Sequence, residues 1–170
     1  VTVVNDGTIT SDVNALRCID CVDVAFTNTG TIESTDSDTG AATIIRGATG
    51  TNTIINSGEI TSGNDRAVDV SQTSGTTVTN SGIITAVTNT GLNLAHTTNA
   101  VVTNSGTITA NDQAVSLENE ESVSAGSGTS LTNSGTIQAT GNETTTYAIK
   151  IGTSGKLYND ATITNTGTIA

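Results

Sequence analysis

The chain has 170 residues with no Pro, Met or Trp, one Phe and two Tyr, so aromatic packing cannot build its core. Charged residues make up 12% and the net charge is −11; the first is low for a disordered acidic tail, and the second has the wrong sign for a nucleic-acid or anionic-membrane binder. No apolar run approaches the roughly 20 residues that span a bilayer.

The first element is a phrase that the chain then repeats. VTVVNDGTIT (1–10) returns as FTNTGTIE (26–33), IINSGEIT (54–61), VTNSGIIT (78–85), VTNSGTIT (102–109) and LTNSGTIQ (131–138). The Asn of the phrase falls at Asn5, Asn28, Asn56, Asn80, Asn104, Asn133 and Asn159, in steps of 23, 28, 24, 24, 29 and 26 residues. A period of this size signals a solenoid, with the variable excess in loops.

Within each period three apolar patches follow one another. The first comes four residues after the Asn, at Ile9, Ile32, Ile60, Ile84, Ile108, Ile137 and Ile163. The second is a short run of the type Ala67-Val68-Asp69-Val70, seen also at Ala15–Cys18, Ala114–Leu117 and Ala148–Ile151, with GLNL (91–94) as a variant. The third precedes the next Asn by two, at Phe26, Ile54, Val78, Val102, Leu131 and Leu157. All three alternate with polar residues, the period of a strand with one buried face. The expected fold is all-β: a right-handed parallel β-helix with three short strands per coil, about six or seven coils of roughly 24 residues. A left-handed hexapeptide helix needs shorter and stricter coils.

Counting by twos from Val102 places Asn104, Gly106 and Ile108 on the inward side. A buried Asn needs partners for its amide, and stacked coils offer them about 4.8 Å away. The phrase therefore reads as a corner carrying an internal Asn ladder. The glycines two residues on (Gly7, Gly30, Gly58, Gly82, Gly106 and Gly135) are expected to supply positive φ at the bend. Ala161 replaces that glycine after Asn159, and a second phrase, Asn165-Thr166-Gly167-Thr168-Ile169, follows closely. Irregular geometry is expected there, with Asn165 an alternative last corner.

Residues 1–170 read as a single β-solenoid segment, part of a longer array or a stacking subunit, because its ends fall within the repeat and both end coils expose sheet edges. Self-association through end coils or lateral faces is the expected partnership. Three insertions, 34–41, 118–130 and 139–147, leave the rod as loops able to carry specificity.

Candidate chemistry is sparse. Asp36-Ser37-Asp38-Thr39-Gly40 resembles the start of a calcium loop but lacks the bidentate acid at the proper offset. Glu118, Glu120 and Glu121 form an acidic loop most simply read as solvated. Cys18 and Cys21 form a CxxC that reads as a small disulfide in an extracellular setting or as two free thiols; a bond requires the chain to bend between them. A redox motif lacks its strand–helix context, and a zinc site lacks further soft ligands. Arg17, Arg46, Arg66, Lys150 and Lys156 look scattered, Asp65 and Asp69 lack an evident positive partner, and His96 reads as a surface residue. No catalytic constellation, metal site or cofactor is expected. Asn142-Glu143-Thr144 is a formal glycosylation sequon.

Repeats such as VTNSGTIT, spaced by runs such as AVDV, resemble the passenger domains of bacterial autotransporters over nearly the whole chain. The resemblance implies a Gram-negative outer surface, export through a C-terminal membrane barrel, and adhesion or aggregation. It also accommodates a closely spaced cysteine pair, since a four-residue loop hardly widens a threading chain. The expected function is an extracellular structural or adhesive rod that associates with itself, a host receptor or a glycan, and inserts in no membrane by this segment. A head-to-tail filament subunit and a carbohydrate-active β-helix are the two alternatives.

Overall fold

A computed structural model of the chain describes residues 1–35, 40–118, 126–152 and 158–170. Strands are numbered in chain order and fall into three parallel sheets. Sheet A holds β1 (Thr2–Asn5), β4 (Ala25–Asn28), β7 (Asn52–Asn56), β10 (Thr76–Asn80), β13 (Val101–Asn104), β16 (Ser130–Asn133) and β19 (Thr162–Asn165). Sheet B holds β2 (Thr8–Ser11), β5 (Thr31–Ser34), β8 (Glu59–Ser62), β11 (Ile83–Ala86), β14 (Thr107–Ala110), β17 (Thr136–Ala139) and β20 (Thr168–Ile169). Sheet C holds β3 (Leu16–Ile19), β6 (Thr43–Arg46), β9 (Val68–Asp69), β12 (Thr90–Asn93), β15 (Gln113–Leu117) and β18 (Tyr147–Ile151). The chain visits A, B and C in turn and pairs each strand with its counterpart one coil away, giving a β-solenoid with three strands per coil.

Strict register stacks like on like. Val3, Phe26, Ile54, Val78, Val102, Leu131 and Ile163 form one row of sheet A. Ile9, Ile32, Ile60, Ile84, Ile108, Ile137 and Ile169 form one row of sheet B. Leu16, Thr43, Val68, Leu92, Val115 and Ile149 form the matching row of sheet C. From the second coil to the sixth the aliphatic members of the A and B rows are fully buried. Thr43 sits between Leu16 and Val68 in the C row, fully buried, and its hydroxyl has no hydrogen-bond partner among the described residues.

The last coil corrects the sequence reading. Ile163 lies in the sheet A row beside Leu131, and Ile169 takes the sheet B position beside Ile137. The corner is Asn165, which pairs in register with Asn133. Asn159 is exposed and bridges Ser127 in the turn that leads into sheet A. The cause is steric: Ala161 carries a Cβ that the corner position cannot hold, whereas Gly167 fits it. Leu157 lies outside the described residues.

Candidate functional site

The corner between sheets A and B is a continuous amide ladder. Nδ2 of Asn5, Asn28, Asn56, Asn80 and Asn133 donates at 2.8 Å to Oδ1 of the corner Asn of the next coil, and Asn104 does so at 2.7 Å. Each of the six also donates to the carbonyl of its own corner glycine and to a carbonyl of the next coil; for Asn104 these are Gly106 and Thr136, both at 3.2 Å. All donors run one way along the axis. At one end Asn5 Oδ1 accepts no hydrogen bond among the described residues. At the other, Asn165 Nδ2 donates only to the Gly167 carbonyl among the described residues.

The corner glycines are required for a different reason than positive φ. None of them adopts it. Instead, a Cβ on Gly30, Gly58, Gly82, Gly106, Gly135 or Gly167 would lie 2.0–2.2 Å from the carbonyl oxygen of the corner glycine one coil earlier. Hydrogen-bonded coils approach too closely there for any side chain. Gly7, in the first coil, would meet nothing within 4 Å.

Positive φ belongs to two other corners. One follows sheet C, at Asp20, Gly47, Gln72, His96 and Gly152, with φ between 53° and 71°. The other precedes sheet A, at Asp23, Gly50, Gly75, Asn99, Gly128 and Asp160, with φ between 51° and 79°. Gly adopts this conformation freely, Asn, Asp and His are the side-chain-bearing residues most often found in it, and Gln72 adopts it at the greatest cost. Asp20 also gives Cys18 and Cys21 the bend that they need. The two are disulfide-bonded with Cα atoms 5.9 Å apart, and both pack against the core.

The outward wall of sheet C gathers what looked scattered in the sequence. Arg17, Ile44, Asp69, Asn93, Ser116 and Lys150 stand in one register row, with Arg46 beside Ile19 two residues on. Arg66 immediately precedes Ala67 at the start of the same sheet. All the described Arg and Lys residues thus lie on or beside this wall; Lys156 is outside the described residues. Glu118 pairs with Lys150, whose ammonium also stands 5.7 Å from the Tyr147 ring centroid. Glu120, Glu121 and most of the calcium-like stretch, Asp36, Ser37, Asp38 and Thr39, lie outside the described residues.

Asp69 has positive partners after all. Its carboxylate, 1% exposed, accepts from Arg46 Nη2 at 2.5 Å and from Asn93 Nδ2 at 2.9 Å, with Arg66 Nη1 at 3.9 Å. Arg46 Nε donates to Ser71 Oγ at 3.1 Å. A buried carboxylate persists only with such partners. Asp65 instead accepts from Asn89 Nδ2 at 3.2 Å, so the two acids answer to different groups. His96 is buried, at 6% exposure, rather than on the surface. Arg46, Arg66, Ser71, Gln72, Asn93 and His96, with Ala95, line a recess of about 100 Å³. Sequence reading missed it because Arg46, Asp69 and Asn93 come from three coils; only alignment on the outward residue of the second patch brings them together.

Comparison with family models, with curated proteins and with solved structures finds no match to this chain.

Proposed function

We propose that the chain is an extracellular structural rod of a bacterial surface protein, of the autotransporter-passenger kind, acting in adhesion or self-association. The observation that carries this reading is the character of walls A and B. Their outward rows repeat hydroxyls in register: Thr8, Thr31, Thr107, Thr136 and Thr168 share one row of sheet B with Glu59 and Ile83. Neither wall carries a cation among its described strand residues. Two such rods can lie side by side with matched strand spacing, about 4.8 Å, and with only Glu33 and Glu59 as strand charges to desolvate. The Cys18–Cys21 bond suits an oxidising compartment.

The test displays the chain on a bacterial surface and follows cell settling. Cells should clump, and Thr85→Lys with Thr109→Lys on wall B should abolish clumping through like-charge repulsion. Cells that stay dispersed with the unaltered chain would count against the reading.

Head-to-tail stacking is the second reading, favoured by the open corner at Gly7. Asn5 Oδ1 is an uncommitted acceptor and Asn165 Nδ2 a donor at opposite ends of one ladder, so β1 of one copy can add to β19 of another. The junction joins sheets A and B; sheet C, whose end strands are β3 and β18, is one strand short there. Gly7→Ala should leave the fold intact and stop end-on assembly in light scattering; unchanged assembly would remove this reading.

A further inference from the structure

We infer that the recess on sheet C is a binding site for the acidic group of a linear oligosaccharide, a uronate carboxylate or a sulfate ester. Charge placement is the first support. The chain carries a net charge of −11, yet Arg17, Arg46, Arg66 and Lys150 share one wall. Asp69 and Glu118 pair with Arg46 and Lys150 there, so the wall's excess positive charge rests on Arg17 and Arg66, and an approaching anion is repelled elsewhere and drawn to it.

The second support is how the two arginines at the recess are held. Arg46 is fixed at both ends of its guanidinium, by Ser71 and by the buried Asp69. Arg66 stands 3.9 Å from the same carboxylate, beyond hydrogen-bond distance, and its side chain donates no hydrogen bond among the described residues. One guanidinium is thus positioned and the other is left with donors for a ligand. Guanidinium forks match carboxylate and sulfate oxygens.

The third support is backbone conformation. At the corner after sheet C, Asp20, Gly47 and Gly152 take the left-handed region in three coils, but two of the three coils that line the recess place Gln72 and His96 there, at φ 59° and 58°. Strained non-glycine residues gather at ligand sites, and both of these line the recess.

The ligand class follows from shape. A recess of about 100 Å³ admits an acidic substituent but leaves the sugar ring over its mouth. Ser71, Gln72 and Asn93 add hydroxyl and amide groups suited to sugar hydroxyls. The wall runs straight from Arg17 to Lys150, five strand steps or about 24 Å, the form of a site for a linear polyanion rather than a lone ion. Among the described residues no Phe, Tyr or Trp lines the recess, and its one ring, His96, is only 6% exposed, so it offers no platform for stacked bases.

This inference goes beyond self-association and is tested apart from it, in solution with the purified chain. Calorimetry would compare a hyaluronan hexasaccharide, which bears carboxylates only, its carboxyl-reduced counterpart, a dextran sulfate oligosaccharide and a single-stranded DNA oligonucleotide. At least one acidic oligosaccharide should bind, and which one does distinguishes carboxylate from sulfate. The uncharged counterpart should bind about tenfold more weakly or worse. Arg66→Gln should weaken binding by about tenfold, Asn93→Asp should abolish it by placing a carboxylate at the recess, and Thr85→Gln on wall B should leave it unchanged; circular dichroism melts verify each fold. Absence of binding to both acidic oligosaccharides, equal binding of the uncharged sugar or of DNA, or unchanged affinity in Arg66→Gln would overturn the proposal.

Discussion

Walls A and B and wall C are built from the same kind of parallel strand pairing, yet they differ in what faces outward. A and B repeat themselves: hydroxyls predominate in their outward rows, interrupted by residues such as Val4, Ile55, Glu59 and Ile83, and the corner between them is copied as Asn-X-Gly in all seven coils. Wall C repeats only its inward residues. Its outward row runs Arg17, Ile44, Asp69, Asn93, Ser116 and Lys150, no two alike. The contrast separates two demands on a solenoid. Residues that set the rise from coil to coil must be copied, because each contacts its own image. Residues that face a partner are free to differ, and in this chain they differ on one wall.

The sharpest way to break that contrast is to change a copied residue in the middle of the stack and at its end. Asn104→Ala removes three donated hydrogen bonds and leaves Asn133 Oδ1 without its donor. It should cost about 3–5 kcal/mol in denaturant unfolding. Asn165→Ala, at the exposed end, should cost less than about 1 kcal/mol. Equal effects would mean that the ladder contributes nothing as a ladder.

Glycine offers the same comparison. Gly106→Ala puts a Cβ 2.1 Å from the Gly82 carbonyl oxygen, and about 2–4 kcal/mol of stability should be lost. Gly7→Ala meets nothing within 4 Å and should lie within about 0.5 kcal/mol of the parent. A melt series resolves the difference. One further substitution should act with the opposite sign. Thr43→Val replaces a buried hydroxyl without a partner, and stability should rise by about 1 kcal/mol. A fall would show that the hydroxyl has a partner in solution.

These residues also mark how far the sequence can be read. The ladder and the A and B rows were legible because the phrase holds Asn, Gly and Ile at spacings of two, where strand geometry leaves no freedom. The corner glycines were found but given the wrong duty. Sequence shows that a side chain is excluded without showing whether φ or a neighbouring carbonyl excludes it, and the true left-handed corners include Gln72 and His96, which carry no glycine signal. The end coil misled for a related cause: Asn159 continues the spacing, but the step from Asn133 to Asn165 absorbs a long loop. Wall C was illegible because its members share no residue type. Arg46 and Asp69 are 23 positions apart, and nothing in either segment alone announces the other.

The most direct test of stacked, in-register coils is a set of distances along the axis. Val4, Thr27, Thr132 and Thr164 lie in one outward row of sheet A. Spin labels on cysteines placed at Thr27 and Thr132, Val4 and Thr132, and Val4 and Thr164 span four, five and six coil steps. Double electron–electron resonance should give about 19, 24 and 29 Å, a constant increment of about 4.8 Å per coil. Distances that do not grow in proportion to coil number, or that follow sequence separation instead, would contradict the stack and with it the ladder, the walls and the recess.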